Sequence, residues 1–268
     1  MATWNELLHP GDARDFFSRR PLPPFDPSTR SYKSGNAHWL AELSRLIYRH
    51  DAEETDSPTQ PTQTLFLKKA GCTRRQFFFS RKTDTQAMLL EFGTVAPFAV
   101  LVFRGTELHI KDLVTDLTVG YLRNNDGKID THTGFTQALD SVWVDIERAL
   151  KRLQCPLFFT GHSLGAALAT LAAARIAPTA LYTFGSPRVG DEEFVASLDG
   201  MAESIHRVVY GEDIVATVPP EALGFRHIGK LQTLEAPASR GWMDWLLGWM
   251  RPPKPFGDHA PVNYVDKT

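Results

Sequence analysis

Residues 157–174 read LFFTGHSLGAALATLAAA, and this stretch decides how the rest of the chain is read. Leu157, Phe158 and Phe159 are apolar and suit a strand buried on both faces. Gly161-His162-Ser163-Leu164-Gly165 then forms G-x-S-x-G, and helix formers run from Ala166 to Ala174 with no proline before Pro178. Strand, sharp turn and helix are the context that makes this short pattern a nucleophile elbow. The turn holds the serine in a strained backbone geometry, so its neighbours must be small, as Gly161 and Gly165 are. A helix that starts at Ser163 points its free N–H groups and positive dipole end at any oxyanion formed there. Ala166, Ala167, Ala169, Ala172 and Ala173 let that helix pack closely under a sheet.

Outward from this elbow, the pattern predicts alternating strands and helices. Towards the N-terminus, 134–153 reads as a helix with Phe135, Leu139, Val142, Ile146 and Leu150 on one face. The apolar run 98–103 reads as a central strand ending in Arg104-Gly105-Thr106. Strands are expected at 64–68, 76–80 and 87–92, the last two joined as a hairpin through Lys82, Thr83 and Asp84. A helix is expected at 36–48, with Trp39, Leu40, Leu43, Leu46 and Ile47 as its apolar stripe. Residues 1–33 are proline-rich and aperiodic, an irregular arm with a short helix near 4–8. Beyond the elbow, strands are expected at 180–184 and 205–210, with one or two more within 225–234. Strands alternating with helices imply a mostly parallel central sheet covered on both faces, in one domain over 1–268.

Composition narrows the function. The chain has 268 residues and is 43% hydrophobic, enough for a sizeable core. Its formal net charge is −2 and no Lys/Arg run exceeds two residues, which speaks against nucleic acid and polybasic membrane anchoring. No segment approaches the ~20 apolar residues of a membrane span. The N-terminal residues lack a basic region followed by an apolar stretch, so no signal peptide is read and the default location is cytoplasmic, the alternative being export by a non-classical route or after removal of a signal. Cys72 and Cys155 do not make a disulfide framework, and Cys155 reads as a buried thiol.

A serine hydroxyl is a poor nucleophile until a base takes its proton, and that base must be held in the right tautomer. In this type of fold the acid and then the histidine follow the serine in the chain. Asp191, Asp199 and Asp213 are the candidate acids. Asp213 is favoured because it follows the strand at 205–210, at the carboxyl end where open α/β sheets bind ligands; Asp191 could equally cap the helix after it. Of the histidines, His206 lies within a strand and His227 in an apolar segment, both pointing to structural roles. His259, in the terminal loop GDHAPVNY, is the favoured base. The backbone N–H of Leu164 and the loop at Thr106 are the candidate oxyanion donors. Arg104 reads as a structural ion-pair partner.

FRGT at 103–106, HTGF at 132–135, GHSLGAALA at 161–169, TFGSPRVGD at 183–191 and DIVATVPP at 213–220 together resemble the class 3 (fungal-type) lipase family of α/β hydrolases. NAHWLAELSRLIY at 36–48 and DTQ at 84–86 resemble that family's opening. The resemblance spans about 36–264 and implies the α/β-hydrolase fold. It also implies Ser163 as nucleophile, Asp213 as acid, His259 as base, and Thr106 with Leu164 as the oxyanion hole. It further implies a lid over the site, mapping to 107–119, whose Leu108, Ile110 and Leu113 would meet substrate. Ala216 and Thr217 depart from the family by lengthening the run before the next proline. So does a tryptophan-rich insert at 239–255, in which Trp242, Trp245, Leu246, Trp249 and Met250 share a helical face. That segment either packs on its own domain or caps the acyl pocket at a lipid surface, with Trp245 and Trp249 as substrate contacts.

The expected activity is hydrolysis of a carboxylic ester, acylglycerols first, through an acyl-enzyme, with no metal or organic cofactor. Rival readings are a phospholipase, galactolipase or soluble-ester esterase on the same fold, or a non-catalytic lipid-binding protein on a hydrolase scaffold. The expected partner is a lipid or ester, at a lipid–water interface.

Overall fold

A computed structural model gives the fold, and the structure describes residues 2–49, 62–93, 96–106, 114–115, 131, 133–236 and 251–268. In chain order the elements are α1 (Trp4–Leu8), α2 (Ser34–Leu46), α3 (Gln63–Lys69), β1 (Cys72–Ser80), β2 (Thr85–Phe92), β3 (Phe98–Phe103), α4 (Thr133–Leu150), β4 (Leu157–His162), α5 (Leu164–Arg175), β5 (Ala180–Phe184), α6 (Glu192–Ser197), β6 (Ile205–Tyr210), β7 (Lys230–Leu234), α7 (Lys254–Gly257) and α8 (Pro261–Lys267). Among the described residues the strands form one sheet in sequence order, β1 to β7. β1, β2 and β3 pair antiparallel, and β3 to β7 run parallel. This is the mostly parallel sheet that the alternation of strands and helices predicts.

The sheet divides the core in two. On one face α4 and α5 cover β1 to β5, burying Leu139, Val142 and Ile146 against Leu101, Phe103 and Phe159. Each of these helices lies in a crossover to the next strand in line; successive right-handed crossovers in one direction put both helices on the same face. The other face is covered by α2 and α8, the first long helix and the last helix described. There Leu40, Leu43 and Val265 pack on Val100, Phe158 and Phe184. β3 and β5 are buried at every residue, which is why they read as continuous apolar runs rather than alternating ones.

Two expectations about the N-terminal half need correction. Residues 64–68 are helical, not a strand: Thr62 caps α3 by accepting a hydrogen bond from Leu65 N–H at 3.1 Å. Lys68 and Lys69 complete its last turn, where cations favour the dipole. A short apolar run such as Leu65-Phe66-Leu67 has no period that separates the two states. The helix α2 is buried well beyond its apolar stripe, with His38, Glu42 and Arg45 nearly inaccessible. The irregular arm covers it: Glu42 accepts from Phe17 N–H at 2.9 Å, Arg45 pairs with Asp15, and Trp39 Nε1 donates to the Pro23 carbonyl at 2.6 Å. A smaller correction concerns Cys155, which is half-buried rather than buried, in the connection before β4.

Close backbone contact explains the two glycines of the elbow. A Cβ on Gly161 would overlap the main chain of Gly165, and a Cβ on Gly165 would overlap the carbonyl oxygen of Phe103 on β3. The start of α5 therefore rests directly on two strands. Gly165→Ala should lower stability by about 1–3 kcal/mol, read as a lower urea midpoint at unchanged slope.

Candidate active site

The parallel strands β3, β4, β5 and β6 are neighbours and end on the same side of the sheet. Thr106 follows β3, Ser163 follows β4, Gly185 follows β5 and Asp213 follows β6. Sequence order thus becomes spatial order across one edge. Ser163 has φ 59° and ψ −127°, a left-handed conformation rare for a residue with a side chain. Its N–H donates to Phe184 O at 3.0 Å and its carbonyl accepts from Ala166 N–H at 3.0 Å, so the turn is held from both sides. Leu164 opens α5, where the first backbone N–H groups have no partner within the helix. Thr106 is half-buried at the exit of β3. Just before it, buried Arg104 pairs with Asp84 at 2.6 Å and its N–H donates to Gln86 O at 3.0 Å, tying the loop to the β1–β2 hairpin.

Asp213 and His259 meet across the end of β5. His259 Nδ1 lies 2.9 Å from Asp213 Oδ1 and 2.8 Å from Oδ2, and both residues are 2% exposed. Gly185 lies beneath the pair, with φ +56°. A Cβ there would fall 2.5 Å from Asp213 Oδ2 and 2.9 Å from His259 Nδ1. The glycine in TFGSP is therefore needed for a steric reason: β5 separates the strand bearing Ser163 from the strand bearing Asp213, and the contact must pass over its end.

Asp213 collects donors on both oxygens. Val215 N–H donates to Oδ1 at 2.8 Å, and the Tyr264 hydroxyl, from α8, donates to Oδ2. Burial pushes the Asp213 carboxyl up, but the His259 charge and the hydrogen bonds from His259 and Tyr264 outweigh it and leave it below its ordinary value. Burial and then the Asp213 charge raise the Tyr264 phenol well above its ordinary value, so Tyr264 stays a donor.

His259 lies in the tight turn between α7 and α8, which is fastened at successive residues. Asn263 Nδ2 donates to Gly257 O at 2.7 Å, Asp258 Oδ2 accepts from Glu212 N–H at 2.9 Å and from Lys254 Nζ at 2.7 Å, and His162 Nε2 donates to His259 O at 2.7 Å. The other ring nitrogen of His162, Nδ1, lies 2.9 Å from the Tyr48 hydroxyl. Burial, and then the His259 charge, push His162 down to about 3.

Three of the rival candidates, Asp191, His206 and His227, are occupied elsewhere. Asp191 caps α6 by accepting from Phe194 N–H at 2.9 Å. His206 Nε2 donates to Arg30 O at 2.8 Å, and His227 Nε2 donates to Ala216 O at 2.7 Å. Leu108, Ile110, Leu113, Trp245 and Trp249 lie outside the described residues. So do His132, all of the 107–119 segment except 114–115, and 239–250 of the tryptophan-rich insert. Tyr48, His162 and Tyr264 escaped the reading of the sequence: a tyrosine five residues beyond a histidine carries no pattern that marks it as a partner.

Tyr264→Phe tests the second oxygen of Asp213. A hydrogen bond to a charged group is worth about 1.5–3 kcal/mol. A carboxylate depressed in the folded state adds stability above its ordinary 3.8 that is lost as pH falls through the lower folded value. The deficit of the variant should therefore be full at neutral pH and shrink on acidification below that value, as followed by urea unfolding across pH.

Comparison with known proteins follows the same residues. A family profile described as "Lipase (class 3)" matches residues 100–223. The "Secreted mono- and diacylglycerol lipase 1" of Fusarium solani is 41% identical over 105 residues, 36% of this chain and 32% of that protein. A "Lipase" of Rhizopus niveus is 32% identical over 167 residues, 57% of this chain and 42% of that protein. The chain thus spans from a third to under half the length of these curated relatives. Among solved structures, a lipase from Rhizopus microsporus var. chinensis superposes with TM-score 0.59 at 25% identity, covering 85% of each chain. The default cytoplasmic location does not stand, because the Fusarium relative is named as a secreted enzyme.

Proposed function

We propose that this chain, whose residues 100–223 match the class 3 lipase profile, is a serine carboxylic-ester hydrolase acting on acylglycerols, with Ser163, His259 and Asp213 as its triad. The observation that carries this reading is the His259–Asp213 pair closed over Gly185, at the strand edge that also bears the strained Ser163. Ser163 attacks the ester carbonyl as His259 takes its proton, and Asp213 holds the imidazole in the tautomer with Nδ1–H and stabilises its charged form. The backbone N–H of Leu164 and the Thr106 loop bind the developing oxyanion. His259 then protonates the leaving alcohol, and activates the water that releases the acid and restores the serine.

Acylglycerols are the substrate class because relatives matched over part of this chain are named mono- and diacylglycerol lipases. We further propose 107–119 as a lid, with Leu108, Ile110 and Leu113 as substrate contacts, and Trp245 and Trp249 as contacts of the acyl chain. An ester chain-length series, run above and below the solubility limit, tests both points. Activity should rise once the substrate forms an interface. Trp245→Ala with Trp249→Ala should depress long-chain turnover far more than short-chain turnover. Equal losses at every length would remove the tryptophans from the pocket, and no rise at the interface would favour a soluble-ester esterase. Phospholipid or galactolipid hydrolysed faster than acylglycerol would move the substrate class.

A further inference from the structure

His162 stands next to the nucleophile in sequence, yet it faces the α2 side of the sheet, as Thr160 does through its contact with Ser44 at 3.0 Å. It is 3% exposed, and both ring nitrogens are engaged. A carbonyl oxygen can only accept, so the contact with His259 O makes Nε2 the protonated nitrogen. Nδ1 is then an acceptor, and the Tyr48 hydroxyl donates to it. One tautomer satisfies both contacts. The Tyr48 hydroxyl in turn fills the space where a Cβ on Gly105 would sit, one residue before Thr106.

Three chain segments are therefore linked through the His162 imidazole and its Tyr48 partner: the strand that leads into Ser163, the turn that carries His259, and, through the Tyr48 hydroxyl, the loop that carries Thr106. Asn263 and Asp258 fasten the turn at Gly257 and Asp258, while His162 fastens it at the base itself. Holding the carbonyl of a residue limits its ψ, and with it the direction in which its side chain leaves the turn. The His162 ring also lies 4.4 Å from the His259 ring, centroid to centroid. A cation there would oppose the imidazolium that His259 becomes during catalysis, and burial keeps His162 neutral.

We propose that His162 is a positioning residue for His259, holding the main-chain carbonyl of the base, and that Tyr48 fixes the His162 tautomer and couples this hold to the Gly105–Thr106 loop. The proposal rests on Ser163 and His259 being nucleophile and base. The test is the rate at which a fluorophosphonate labels Ser163, together with kcat and KM on a soluble short-chain ester. Leucine cannot donate to the His259 carbonyl, whereas a glutamine amide nitrogen reaches about as far as Nε2. His162→Leu should slow labelling and lower kcat on the order of 10–100-fold, with KM little changed. His162→Gln should recover most of that loss. Tyr48→Phe should give a smaller loss in the same direction. Labelling of His162→Leu at the wild-type rate would overturn the proposal, and so would equal losses in the leucine and glutamine variants, because space-filling alone would then explain the residue. Should His162→Leu fail to fold, Tyr48→Phe decides, and a wild-type labelling rate there overturns the proposal. Ser163→Ala labelled as fast as wild type would instead bring down the triad assignment itself, and this proposal with it.

Discussion

Ser163→Ala is expected to cut kcat on the order of 10⁶-fold while the unfolding midpoint stays within experimental scatter of wild type. The serine side chain caps nothing in α5, and the hydrogen bonds that hold the turn come from its backbone N–H and carbonyl. Alanine keeps that backbone, with the same positive φ to accommodate. Only the nucleophilic oxygen is lost. What survives is the contribution of oxyanion donors and substrate binding, which in comparable triads leaves rates about 10³–10⁴ above water. Initial rates on a short-chain ester, measured beside a urea titration, check both halves. A loss below tenfold with the fold intact would mean that another group attacks the ester.

The second large effect is Asp213→Asn, expected to lower kcat by about 10⁴ at neutral pH. Among the described residues the polar contacts of this side chain are with donors: Val215 N–H, His259 Nδ1 and the Tyr264 hydroxyl. A carboxylate accepts from all of them. An asparagine presents one oxygen and one NH₂ group, so the NH₂ must oppose either Val215 N–H or the Tyr264 hydroxyl, and in both positions it also lies against His259 Nδ1. Facing His259, it favours the tautomer with the proton on Nε2, so the nitrogen needed by Ser163 can no longer accept. The variant should bind substrate with little change in KM and turn it over slowly. Steady-state kinetics resolves the two, and a loss confined to KM would show that Asp213 does not orient the base.

Much of this arrangement was legible in the sequence, and particular residues show why. The elbow could be read because its steric demand is local: Gly161 and Gly165 touch each other and Phe103 within one strand–turn–helix unit. Residues 98–103 could be read because a strand buried on both faces is apolar throughout. Residues 64–68 could not, because three apolar residues between polar flanks fit helix and strand alike, and a single threonine cap decided the matter. The breadth of burial around α2 was also hidden. It comes from an irregular arm whose contacts join residues 18–30 positions apart and leave no periodic trace. Tyr48, His162 and Tyr264 fall in the same class. Their partners lie 51 to 114 residues away, and chemistry alone gave no reason to prefer them over other buried aromatics.

The turn bearing His259 sits between two short helices that follow the seven described strands in the chain. A chain that ends before this turn therefore carries Ser163 but lacks the His259 that would prime it. On the proposed mechanism, hydrolytic power is withheld until residues 257–264 have been synthesised and docked on α2, so that an interrupted or truncated translation product is inert towards the lipids of the cell that makes it.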